Sequence, residues 1–339
     1  MKLKYVASLS ALLLQMSTAM AAEASLAAYQ VPKAVQSLLI DIELRADDGY
    51  VVAGERGHIL VSKNGADWQQ SVVPTQAMLN SVYFPTGNKG FAVGHDATIL
   101  STQDKGLTWQ LQQAKPELDK PLFDVYFRNE NEGIAVGAYG LFFRTTDGGQ
   151  QWTQEYHLEL ASPDDQTLLA ELKDTDPDAY QIEMNSVLPH FNRVYADGNI
   201  LFMVGEAGFV AKSLDFGVTW QRLPEFYNGS LFGITRTAGT SLIAVGLRGH
   251  VFRSNDHGAT WQQIELPVQI TLNSVISDPK GPVYLVGNAG TLLVSHDDGL
   301  SFHSLAAGDN KALMDAVVVP TGLVVAGETG VRQITTGQK

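Results

Sequence analysis

The stretch RSNDHGATW, Arg253 to Trp261, decides how this chain folds, because it returns five more times in worn form. KSLDFGVTW ends at Trp220, RTTDGGQQW at Trp152, STQDKGLTW at Trp109, VSHDDGLSF at Phe302, and a shortened VSKNGADW at Trp68. The shared skeleton is Ser/Thr-x-Asp-x-Gly-x-Thr-Trp. Its hydroxyl and carboxylate can bond backbone N–H groups inside a tight turn, and its Gly supplies a left-handed position that other residues take at a cost. The closing aromatic is a large apolar anchor for the layer beneath. Each copy therefore reads as a β-hairpin turn locked by its own side chains. Asp104, Asp147, Asp215, Asp256 and Asp297 are its carboxylates, and Trp109, Trp152, Trp220, Trp261 and Phe302 its anchors.

The copies keep time. Trp68 to Trp109, Trp220 to Trp261 and Trp261 to Phe302 are each 41 residues apart, and Trp109 to Trp152 is 43. A second landmark follows the same beat: a Gly-x-x-Gly-like turn after an apolar run, at 54–57, 94–97, 137–140, 205–208, 246–249, 287–290 and 327–330. A period near 40 residues built from short β runs is the signature of a propeller blade. The expected fold is all-β, a seven-bladed β-propeller over residues 38–339. Six blades are complete, and a last blade of three strands lacks the lock. The beat breaks once, between Trp152 and Trp220, where 157–189 has helical spacing around Leu168, Leu169 and Leu172. That segment reads as a helical hairpin inserted between blades three and four. The β-like piece around Tyr29, within 22–37, is expected to supply the missing outer strand of blade seven and close the ring.

The first 21 residues have a Lys-bearing start, a short apolar stretch and Ala19-Met-Ala21, the pattern of a secretory signal peptide. An exported protein, periplasmic or extracellular, is expected. It contains no Cys, so neither disulfides nor thiol chemistry are available to it. Without Lys2 and Lys4 the chain carries 21 basic against 36 acidic residues. That balance argues against nucleic acid and anionic membrane surfaces as partners.

The lock skeleton resembles the Asp-box, or BNR repeat, of sialidases and many non-enzymatic propellers. With the sevenfold count, the leader and the paired Gly-Phe-Ala-Val-Gly and Asp-box landmarks, the chain resembles more closely the photosystem II stability/assembly factor family, over about residues 38–334. The resemblance implies a soluble, exported, monomeric assembly factor or scaffold that handles a membrane-protein partner, with no chemistry or cofactor of its own. Members acting in photosystem assembly are associated with a basic binding patch, and the acidic balance here departs from that.

In a four-stranded blade the locks fall on one face, and the second-to-third strand turns fall on the other. The mouth face therefore carries Glu55, Arg56, His95, Asp96, Tyr139, Glu206, Arg248, Asn288 and Glu328 as candidate binding residues. Asp41, Asn80, Asp124, Asn192, Asn273 and Asp315 come from the inner-strand starts around the channel. The bland reading of all of them is capping of strand ends. The enzymatic alternative is a carbohydrate-binding or sialidase-like glycoside hydrolase propeller. Sialidases resemble a kit of three Arg, a Tyr/Glu pair and an Asp, with an Arg-Ile-Pro segment that is missing here. No catalytic residue is assigned, although Glu55, Asp96, Glu206 and Glu328 offer carboxylates. Asp174-x-Asp176-x-Asp178 imitates half a calcium loop but lacks its Gly and closing Glu, so no metal site is expected.

Overall fold

Seven antiparallel sheets follow one another along the chain in a computed structural model that describes residues 27–336. The leader expected over 1–21 lies outside the described residues. Six sheets have four strands and the last, Leu313–Val319, Gly322–Gly327 and Gly330–Thr335, has three. Blade five is representative: Leu231–Arg236 innermost, then Leu242–Gly246, Val251–Ser254 and Gln262–Ile264. The chain is a seven-bladed β-propeller, as its period implies.

The core is not one mass but seven apolar layers, one at each junction between neighbouring blades, among the described residues. Each blade is sandwiched by two others, so its second strand is apolar on both faces. LIAVG at 242–246 and GIAVG at 133–137 are buried at every position. Such strands read as continuous hydrophobic runs rather than alternations.

The locks take the form their residues dictate. In blade five the Ser254 hydroxyl accepts the Gly258 N–H at 2.9 Å and donates to Asp256 at 2.8 Å. Asp256 in turn accepts the Thr260 N–H at 2.9 Å and the Thr260 hydroxyl at 2.5 Å. These bonds, led by the Thr260 hydroxyl, hold the Asp256 carboxyl down at about 2. Asp104, Asp215 and Asp297 repeat the arrangement, and Asp147 does so with two backbone N–H groups. In the shortened copy Asn64 takes the Asp's place, and the Gly moves one residue nearer the serine.

One expectation needs correction. The segment around Tyr29 is not a strand of blade seven. The Ala28 N–H bonds the Val73 carbonyl at 2.9 Å, and Gln30 reaches the Ser71 carbonyl at 2.8 Å, so the segment lies along the outer flank of blade one. The short 3₁₀ turn Ala34–Gln36 then wedges against the last strand, with the Val35 carbonyl over Gly330. Pro32 donates no N–H and biases residue 31 to extended backbone, so the piece looks β-like without pairing as a strand. The ring closes instead by packing: Leu39, Ile42 and Val52 of blade one meet Val324 and Ala326 of blade seven.

The insertion is the helical hairpin that the spacing predicts, between blades three and four. It forms two helices, α1 (Pro163–Thr175) and α2 (Pro177–Met184), capped by Ser162 and Asp176, whose side chains accept the N–H groups of Asp165 and Ala179. Of the expected stripe only Leu169 is buried, whereas Leu168 stays 41% and Ile182 69% exposed. The propeller is gripped by the roots of the hairpin instead. Leu160, Ala161 and Leu188 are buried in the layer between blades three and four. No helix among the described residues is long and apolar enough to cross a membrane.

Candidate functional site

The seven turns between second and third strands share one construction. Their first Gly has extended backbone, φ −167° at Gly246, so conformation does not demand it. Proximity does: a Cβ on Gly246 would lie 2.0 Å from the Ser230 carbonyl oxygen, and on Gly94 1.9 Å from that of Met78. The strand end is thus pressed onto the entrance of its own blade's inner strand. Two positions on, the tip residue is left-handed in six turns: Arg56, Asp96, Tyr139, Ala207, Arg248 and Ala289, with φ between 50° and 58°. Six non-Gly residues in this costly region all face solvent.

The nine candidate residues separate by what their side chains do. Glu55 accepts the Leu38 N–H at 3.2 Å, and Glu328 accepts the Ala312 N–H and pairs with Lys311 at 2.8 Å. Glu206 leans on the His190 N–H at 3.5 Å, and Asn288 accepts from Asn273 at 3.0 Å. These four cap the entrances of their own inner strands. Tyr139 is half exposed, edge-on to His190 at 4.5 Å and under the Lys120 ammonium at 5.6 Å. Arg56, His95, Asp96 and Arg248 are exposed, and their side chains make no hydrogen bond or ion pair among the described residues. The hairpin joins this same face, since the Gly140 N–H of blade three's turn bonds the Pro189 carbonyl at 3.0 Å. Residues 163–185 carry seven carboxylates against Lys173. The Asp174–Asp178 run forms no metal cluster; its Asp176 serves as a helix cap.

Below this face the inner strands bring together a set that the sequence reading only half found. Every inner strand has a register irregularity at the same place, skipping Ile40, Asn80, Phe123, Asn192, Phe232, Asn273 and Met314. Where the skipped residue is Asn, its amide donates to the first carbonyl of the next inner strand: Leu122, Leu231 or Leu313, at 2.7–2.8 Å. Asn80, Asn192 and Asn273 therefore stitch blades together. The bulge aims the following residue at the axis. Those seven residues form a ring: Asp41, Ser81, Asp124, Arg193, Gly233, Ser274 and Asp315. Arg193 was missed; aligning the seven inner strands on their leading Leu or Phe would have found it.

Arg193 lies 3.5 Å from Asp41 and 3.4 Å from Asp124. Asp41 and Asp124 also accept the N–H groups of Val82 and Val194 on the next blades, at 2.8 and 2.7 Å. Asp315 makes no such ion pair among the described residues, and the charge of Arg193 offsets its burial only in part. Burial first, then the charge of Asp41, push its carboxyl up to about 8, so near neutrality it keeps a proton that it shares with Asp41. The same two causes hold Glu43 well above the usual carboxylate range. The cavity on the axis has a volume of about 440 Å³.

A family model described as photosynthesis system II assembly factor YCF48 matches residues 60–175 and 112–265, together 206 of the 339 residues. A solved structure described as YCF48 bound to D1 peptide superposes with a TM-score of 0.65 at 18% identity, covering 90% of this chain and 94% of that one. YCF48 from Cyanidioschyzon merolae superposes at 0.66 and 17% identity, covering 90% of this chain and 97% of its own. At these identities the likeness is one of fold. No curated protein matches the sequence.

Proposed function

The chain belongs to the photosynthesis system II assembly factor YCF48 family, and from that premise we propose that it is an exported, non-enzymatic scaffold. It holds a segment of a membrane-protein complex on its mouth face during assembly. One observation carries the reading. Arg56, His95, Asp96, Tyr139 and Arg248 are presented by rigid, strained turns on the face that also bears the hairpin, and the side chains of four of them make no hydrogen bond or ion pair among the described residues. Side chains held out at a cost in backbone energy, with nothing to bond, suit a binding surface. The relative described as bound to D1 peptide supports a polypeptide as the occupant. Glu55, Glu206 and Glu328 are spent on strand entrances, which weighs against the glycosidase alternative, where two carboxylates must converge on one bond.

The test uses two variants. In one, α1 and α2 are excised (163–184) and replaced by a short Gly/Ser linker. A wider cut would remove Leu160 and Ala161 from the core. The other is Arg56→Ala combined with Arg248→Ala. Wild type immobilised on resin is expected to retain components of a detergent-solubilised membrane complex, and both variants to lose them while unfolding at the wild-type temperature. Retention of nothing by the wild type, or equal retention by all three, refutes the scaffold. Aryl-glycoside hydrolysis that vanishes in Glu206→Gln or Asp96→Asn would establish the alternative.

A further inference from the structure

We propose that the axial channel holds a second binding site, distinct from the mouth face, that takes an alkylammonium group. Its floor is the ring two residues further along each inner strand: Glu43, Tyr83, Tyr126, Tyr195 and Thr235, completed by Ile276 and Val317. The register fixes this layer, since each of the seven pairs with the residue three before the first Gly of its own blade's turn.

The chemistry of the layer is one-sided. It contains a carboxylate, three phenols and a hydroxyl, and no cation. None of these five polar groups has a hydrogen-bond partner among the described residues. Thr235 is the telling one, because it is 8% exposed, lines the cavity and its hydroxyl has no hydrogen-bond partner among the described residues. Buried polar groups are nearly always paired, so Thr235 without a protein partner, beside half-buried Glu43 and the three phenols that open onto the same channel, leaves acceptors free for a donor from outside. Tyr83 and Tyr126 stand 5.2 Å apart by ring centroid and offer aromatic faces, which attract a compact cation. The ring above adds Asp41, Asp124 and Asp315, and Arg193 is the one cation facing the four acidic groups among the described residues.

The ammonium class follows by elimination. An anion is disfavoured, because the acidic groups around the channel outnumber the one guanidinium facing them. A metal ion needs several anionic ligands converging on one point, and no group of three such residues does so among the described residues. An ammonium has three donors and no acceptor, which matches Glu43, Thr235 and the phenols. A cavity of about 440 Å³ admits an alkyl stem as well. The source is either a free diamine or the lysine side chain of a partner threaded along the axis. Burial and the charge of Asp41 hold Glu43 above the usual carboxylate range and Asp315 up at about 8, so an entering cation displaces the Asp315 proton. Binding therefore tightens as pH rises from 6 to 8. Asp41, Asp124, Arg193 and the three tyrosines are the other titratable groups facing the site.

Calorimetric titration of the full chain at pH 8 and 0.15 M salt, with 1,4-diaminobutane and with an end-blocked peptide whose one charged residue is a lysine, tests this. Wild type is expected to bind at least one of them saturably, one to one. Glu43→Gln, an isosteric change, weakens it on the order of tenfold or more, and Thr235→Val weakens it less. Asp174→Asn on the hairpin, which removes one negative charge without touching the channel, leaves it unchanged. Diamine binding alone identifies a free solute, and peptide binding alone a partner's side chain. Absence of saturable binding in the wild type, or equal binding by Glu43→Gln, overturns the proposal. Neither outcome bears on the mouth-face reading.

Discussion

Replacing Arg193 by Met should be among the most damaging single changes in the channel, and the damage should depend on pH in one direction. The guanidinium sits 3.5 and 3.4 Å from two carboxylates that are each 4% exposed. At an effective dielectric constant of about 20, one such approach is worth roughly 4 kcal/mol before desolvation. Removing one partner from buried pairs costs about 3–5 kcal/mol net, because the charges left behind are uncompensated. The orphaned carboxylates of Asp41 and Asp124 would escape by taking up protons, as Asp315 already does. A carboxyl whose folded pKa is raised contributes stability that is complete below the unfolded value near 4 and drains away as pH rises through the folded value. The loss relative to wild type is therefore largest near pH 8 and shrinks toward pH 5. Urea unfolding followed by the fluorescence of Trp109 and Trp220, at pH 5.5 and 8, measures it, with Arg193→Lys as the charge-preserving control. A loss under about 1 kcal/mol at pH 8, or a loss that grows toward acid, would mean that the ring is not held by this cation.

Other outcomes follow from the same geometry. Asp315→Asn should stabilise the protein at pH 8, where wild type has begun to lose the shared proton, and the gain should vanish toward pH 4; melting temperatures across that range decide it. Gly246→Ala should cost about 1–3 kcal/mol by pushing a Cβ into the Ser230 carbonyl, despite ordinary backbone angles. Gly308→Ala, where φ is +93° but nothing lies within 4 Å, should cost only about 1 kcal/mol, and parallel urea curves would separate crowding from conformation. Leu188→Ala should lose about 2–5 kcal/mol, because Leu188 roots the hairpin in the core over Gly140, whereas Ile182→Ala should stay within roughly 0.5 kcal/mol of wild type.

The blades were legible because their turn chemistry is local. Ser254, Asp256, Gly258 and Thr260 bond one another within seven residues, so the sequence spells the turn wherever it falls. The doubled Gly of the mouth turns was equally readable, though its cause, crowding at Gly246 against Ser230, belongs to the folded ring. What the chain could not spell was anything decided between blades. The segment around Tyr29 has strand-like composition, but its partners are Ser71 and Val73, forty-odd residues on, and only assembly selects them. Leu168 and Leu172 have helical spacing, yet the propeller takes only Leu169 from that helix. Likewise Arg193 looks like any surface arginine until six other strands bring Asp41, Asp124 and Asp315 around it.

The packed seam between the first and last sheets carries a kinetic consequence. The polypeptide runs across each of the other six seams but not across this one, and no backbone ladder crosses it among the described residues, so parting it sacrifices side-chain contacts and no rungs. A ring fastened in this way can open there without unzipping either sheet. Hydrogen exchange should therefore find its fastest concerted opening at Leu39–Leu44 and Gly330–Thr335, while the other six seams stay shut.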